Sequence, residues 1–160
     1  MRFEVSGAQG IDAPAAHVWE RLLDHEYVAS CAPNVESVEV ISETQFMVVT
    51  SLGVGSVRLR FMLRIALEDL QPPTVARMRI TGDAPGSAAR AEASATLTAG
   101  DADTTRLDWT MAADVHGAIA GTGARLLKGT ARKLTAAFWK KFAAGVVPTK
   151  KQSRGAARAR

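Results

Sequence analysis

The run Val57-Arg-Leu-Arg-Phe-Met-Leu-Arg-Ile-Ala-Leu67 constrains this chain more than any other segment. Its odd positions, Val57, Leu59, Phe61, Leu63, Ile65 and Leu67, are all apolar, whereas Arg58, Arg60 and Arg64 share the other face. Side chains alternate across a strand, so this pattern predicts a long strand with one dry and one wet face. Other segments carry the same period. Ala76, Met78 and Ile80 alternate with Arg77 and Arg79, Ala89 to Leu97 with Arg90, Glu92, Ser94 and Thr96, and Leu107 to Val115 with Asp108, Thr110 and Asp114. The β-branched-rich runs Val38–Ile41 and Phe46–Leu52 add two strands, and Phe3, Val5 and Ile11 mark a first one. Short turns between half-wet strands predict an antiparallel meander rather than βαβ units.

Two regions break the period. Asp12-Ala13-Pro14 opens a helix over Ala15–Leu23, with Asp12 or Ala13 expected at the cap and Pro14 in the first turn. A second short helix is expected from Glu26 to Cys31, ending at Ala32-Pro33-Asn34. From Ile119 to about Val147, Leu126, Leu127, Leu134, Phe138 and Phe142 recur at helical spacing, and Pro148 stops the pattern. A sheet with one apolar face needs a cover, and this final helix alone is long enough. The expected fold is therefore α+β, a curved antiparallel seven-stranded sheet (β-α-α-β6-α) wrapped round a long C-terminal helix. The domain is expected to span residues 1–147, followed by a basic, disordered tail at 148–160.

Charge divides the chain unevenly. Up to Asp114 there are 9 Lys+Arg against 16 Asp+Glu; from Val115 onward there are 11 Lys+Arg and no acid. Such asymmetry points to an anionic partner, a membrane surface above all, because no nucleic-acid motif accompanies it. Trp139, Lys140, Lys141, Lys150 and Lys151 are the candidate membrane or partner surface, combining an aromatic ring with cations. With no apolar leader at Met1–Glu4, a cytoplasmic address is expected.

Chemistry is harder to find. His17, His25 and His116 are scattered with no third ligand at metal spacing, the Asp101–Asp108 acids read as turn residues, and Cys31 is a lone cysteine with no base beside it. No catalytic or metal-binding residue is expected. What the pattern does suggest is a cavity. Ala91, Ala93 and Ala95 would place a row of methyl groups on the inner face, opposite a helix that itself begins with Gly121, Gly123 and Ala124. The expected walls are Met47, Val49, Phe61, Leu63, Met78, Ile80, Trp109 and Met111 from the sheet, with Leu127, Leu134 and Phe138 from the helix. A volume of about 300–1,000 Å³ is expected if a ligand binds there. The competing possibility is that Trp109, Met111 and Phe61 fill the space.

The motifs Ala13-Pro14, Val18-Trp19, Leu22-Leu23-Asp24 and Ala29-Ser-Cys-Ala-Pro-Asn-Val-Glu36 occur in this order. The small-residue strand Ala88–Ala95 follows, then Leu126-Leu-Lys-Gly-Thr-Ala-Arg-Lys-Leu134. In these, over about Phe3 to Ala143, the chain resembles the carbon monoxide dehydrogenase G-subunit family, which belongs to the helix-grip (START-like, polyketide cyclase-like) superfamily. Asn34 departs from it, standing where the family usually has Gly. The resemblance implies a non-enzymatic accessory protein of a molybdenum-containing CO dehydrogenase or related hydroxylase, working at the inner face of the cell membrane. It implies as ligand a respiratory quinone or another apolar molecule. A polyketide-cyclase-like enzyme, or an interaction adaptor with a filled core, are the alternatives.

Overall fold

In the computed structural model, which describes residues 1–146, seven strands form a single antiparallel sheet in the order β1-β7-β6-β5-β4-β3-β2. The strands are β1 (Arg2–Ile11), β2 (Val35–Val40), β3 (Gln45–Val54), β4 (Val57–Gln71), β5 (Val75–Ala84), β6 (Ser87–Ala99) and β7 (Thr105–Gly117). Two helices, α1 (Ala15–Leu22) and α2 (His25–Ser30), link the two edge strands, and α3 (Ala124–Val146) covers the apolar face. This is the helix-grip arrangement expected from the sequence. The expected tail, with Lys150 and Lys151, lies outside the described residues.

The odd face of β4 points inward as the alternation requires: Phe61, Ile65 and Leu67 are buried while Arg58, Arg60 and Arg64 are exposed. Register then fixes its neighbours. Val54 pairs with Val57 across a two-residue turn at Gly55 and Ser56, so even residues of β3 stand opposite odd residues of β4. Phe46, Val48 and Thr50 accordingly face inward, opposite Ile65, Leu63 and Phe61. Met47 and Val49, expected in the cavity, face outward opposite Arg64 and Met62. Met62 is likewise on the outer face, 51% exposed.

The helix ends follow local chemistry. Pro14, not Asp12 or Ala13, occupies the N-cap position of α1, in extended backbone and with no side-chain cap. Asp24 caps α2 by accepting from the Tyr27 N–H at 3.1 Å. Asn34 has φ 54°, the left-handed conformation that Asn tolerates better than most residues. The last helix starts at Ala124 rather than Ile119. Residues Ala120–Thr122 form one 3₁₀ turn, and Gly123 follows at φ 101°, a conformation open chiefly to glycine that ends the turn before α3 begins.

Packing divides into two clusters. The larger joins α1, α2 and the C-terminal half of α3 to the inner sheet through Val18, Trp19, Phe46, Leu107, Trp109 and Phe142. The smaller, at the other end, gathers Val54, Phe61, Val115, Ile119 and Leu127. α3 is clasped to α2 by Tyr27, whose hydroxyl donates to the Phe142 carbonyl at 2.5 Å and whose ring packs against that of Phe142. Gly145 makes this approach possible, because a Cβ there would collide with the Tyr27 hydroxyl.

Burial, with the neighbouring Cys31 and against the pull of Arg21, pushes the Tyr27 hydroxyl up to about 12. A raised acid pKa means that the folded state holds the proton more tightly. The clasp is then intact below pH 10 and is lost as pH rises toward 12. Tyr27 is the chain's one tyrosine, so its absorbance reports this directly. Phenolate absorbance is expected to appear near pH 12 in the native protein and near pH 10 in denaturant. Native titration at pH 10 would contradict the clasp.

Candidate functional site

Between α3 and the inner sheet lies an apolar cavity of about 220 Å³. Its floor is the centre of the sheet, where Met78 and Met111 stand directly opposite Ala93 on either side. The small methyl of Ala93 leaves the room, and two flexible thioethers border it. Leu63, Ile65 and Ile80 continue the floor toward β3, and Trp109 bounds it on β7. The roof is Leu134, Thr135, Phe138 and Trp139 of α3, and one end is closed by Val28, Ala29, Ala32 and Pro33.

Polar atoms in this lining are few. Thr50 donates to the Pro33 carbonyl at 2.7 Å, and Thr135 donates to Ala131 within its own helix. Thr110 belongs to the outer face, its hydroxyl 3.1 Å from that of Ser94. The Trp109 indole lies over Gly7 of β1, with Nε1 and the adjoining ring carbons the atoms nearest that glycine. No acid, base or thiol lines the space. Such a chamber can exclude water and solvate hydrocarbon, and its Thr50 and Thr135 hydroxyls are already engaged by backbone carbonyls.

The structure brings together Leu63, Met78, Ile80, Ala93, Trp109, Met111, Leu134 and Phe138 from the sequence-based set. Phe61 and Leu127 are instead packed in the smaller cluster, beyond the cavity. Ala95 is buried in the main core, and Ala91, half-buried, is not part of the lining. Met47 and Val49 fall on the outer face, as above. At about 220 Å³ the volume is below the expected range.

Trp139 requires a second correction. Expected at a surface, it is 9% exposed and packs edge-on against Phe138 and Phe142, with centroids 4.8 and 5.3 Å away. The apolar arc of α3 runs through Leu127, Ala131, Leu134, Phe138, Phe142 and Val146 and is wide enough to include Trp139. Lys140 and Lys141 are exposed, as are Arg125, Lys128, Arg132 and Lys133. The outer surface of α3 is therefore cationic without an aromatic anchor.

Sequence reasoning missed Phe46, Val48, Thr50 and Leu52, and the whole α2 wall. The turn at Gly55-Ser56 was the available signal for β3, since a two-residue hairpin fixes register. His25, one of the scattered histidines, is brought beside Phe46. It is 7% exposed, stacks on Phe46 at 4.6 Å, and its Nε2 donates to the Ser42 carbonyl at 3.1 Å. Cys31, at the end of α2, is buried, and desolvation raises its thiol pKa, which keeps it protonated and unreactive. Among the described residues, no group of three or more His, Cys, Asp or Glu could hold a metal, and no helix is long and apolar enough to cross a membrane.

A larger trough of about 680 Å³ crosses the sheet, lined by Glu4, Glu68, Glu92, Arg77, Arg79 and Arg132 among others. It shares Met78, Ala93, Thr110 and Met111 with the apolar cavity and differs from it in its charged side chains.

A helix laid across a curved sheet over an apolar chamber defines a helix-grip protein of the START-like kind, and solved structures agree. A conserved protein from Geobacillus kaustophilus matches with 25% identity, TM-score 0.85, and coverage of 92% of this chain and 97% of that one. The Zhui aromatase/cyclase of Streptomyces sp. R1128 matches with 21% identity, TM-score 0.69, and coverage of 92% and 95%. A START superfamily protein from Mycobacterium smegmatis matches with 12% identity, TM-score 0.69, and coverage of 89% and 96%. The last two show the fold alone. Within this class the chain belongs to the CoxG family, the G-subunit family of carbon monoxide dehydrogenase, whose model matches residues 7–147. No curated protein matches it significantly.

Proposed function

We propose that this protein is a non-enzymatic carrier of an apolar small molecule, a quinone or lipid-like compound. In this reading it serves a molybdenum-containing CO dehydrogenase-type hydroxylase from the inner face of the cell membrane. The carrying observation is the chamber beneath α3, apolar on every wall and free of titratable side chains. About 220 Å³ suits a ring or a short chain segment, so a long tail would extend outside. Family membership supports the link to CO dehydrogenase.

Recruitment rests on the cations of α3 and on the absence of acids after Asp114. Each cation near an anionic surface contributes about 1 kcal/mol, enough together for reversible attachment that salt screens. One experiment tests both parts. The protein is mixed with vesicles of phosphatidylcholine alone or with phosphatidylglycerol, all containing a quinone, then released with salt. It is expected to sediment with the anionic vesicles only and to carry quinone into the salt wash. Equal binding to neutral vesicles would refute the electrostatic account, and a quinone-free wash would refute the carrier.

A further inference from the structure

The two side chains displaced from the cavity, Met47 and Val49, meet Met62 on the outer face of the sheet. Val49 stands directly opposite Met62, and Met47 directly opposite Arg64. Along β4 the outer positions otherwise read Arg58, Arg60 and Arg64, so Met62 interrupts a row of guanidinium groups. Met47 and Val49 are half-buried by their neighbours and Met62 is 51% exposed, which leaves a contiguous apolar centre on a face that is otherwise polar. Single exposed apolar side chains need no explanation; three joined across two strands and ringed by charge resemble the centre of an interface, where Met and Arg are enriched.

The ring of charge identifies the occupant. Arg60 is already held by Glu36 at 3.0 Å. Among the described residues, Arg58 and Arg64 have no ion-pair partner, and neither do Glu39 and Asp83. Glu39 flanks Met47 on β2, and Asp83 stands opposite Met62 on β5. The patch thus carries two unpaired cations and two unpaired anions about its apolar centre. A uniformly acidic or basic partner would set like charges against two of the four. A second copy of this surface presents both signs, so each Arg64 can face an acid of the other.

We propose that this outer face of β2 to β5 is a homodimer contact, in which Met62 packs on the same face of a second copy. Arg64 of each copy then meets an acid, Asp83 or Glu39, of the other. The contact is small: four strands at about 4.8 Å and six residues at about 3.3 Å span roughly 380 Å² per copy, below the range of stable interfaces. The dimer is therefore weak and concentration-dependent, and it leaves the helix and cavity on the opposite side of the sheet accessible.

Sedimentation equilibrium of the full chain between about 10 μM and 1 mM, concentrations that reach a dissociation constant of weak-complex magnitude, tests it. The wild-type mass is expected to rise toward twice the monomer value, and less so in high salt. Met62→Leu should behave as wild type. Met62→Glu should remain monomeric throughout with an unchanged melting temperature, since the side chain points to solvent. Arg64→Glu, a fully surface change, should weaken association at least tenfold and decides the matter if the Met62 variant folds poorly. A wild type that is monomeric at every concentration, or variants that dimerise as it does, would overturn the proposal. Neither result would bear on the carrier function, which is read from quinone binding.

Discussion

Ala93→Trp is expected to abolish binding of an apolar probe while costing less than about 1 kcal/mol, or roughly 2–4 °C in Tm for a domain of this size. Ala93 lies at the middle of the cavity floor, between Met78 and Met111, with Leu134 and Phe138 of α3 among the opposing lining residues. An indole placed there would occupy the space now held by the cavity, and both flanking thioethers can change rotamer to accommodate it. In a closely packed core the same replacement forces side chains off their rotamers at about 1–3 kcal/mol or more. Calorimetric binding and thermal melts of the variant beside wild type separate the two cases. Retained binding, or a collapse in Tm, would mean that the space beneath α3 is not the ligand site.

Phe142→Ala should have the largest effect on stability. Phe142 has 0% exposure, packs against Trp139 and Tyr27, and lies where α2, α3 and the inner sheet converge. Truncating a buried Phe removes its transfer energy and leaves a cavity, at about 3–5 kcal/mol. Total stabilities run about 5–15 kcal/mol, so Tm should fall by roughly 6–20 °C. Lys140→Ala, two residues away and exposed, should change stability by no more than about 0.5 kcal/mol. Chemical denaturation of the pair checks this. Similar small losses in both would show that α3 does not pack on the sheet through this face.

The difference between legible and illegible features is physical. β4 could be read because it is wet on one side, so every second residue states its face. β3 could not, because Phe46-Met47-Val48-Val49 is apolar at successive positions and carries no alternation. Its phase is set by the Gly55-Ser56 turn, a register constraint rather than a hydropathy signal. The same ambiguity concealed the wall formed by α2, whose Val28 and Ala29 are too few to show which way a short helix faces. On α3, Leu134 and Phe138 were legible by spacing. Trp139 was not, because an aromatic residue beside two lysines fits both an interfacial belt and the margin of a wide buried arc. Charge asymmetry was plain in the sequence, and six of the eleven cations after Asp114 lie along α3, the other five falling outside the described residues.

The central claim is that an apolar molecule occupies the chamber beneath α3. Two of the chain's three tryptophans, Trp109 and Trp139, line that chamber, so wild-type fluorescence reports occupancy without a label. Titration with a short-chain quinone, which quenches indole emission on contact, is the most direct measurement. Saturable quenching with one site per chain is the predicted result. Quenching that rises linearly to the solubility limit, no steeper than that of free tryptophan, would contradict the account.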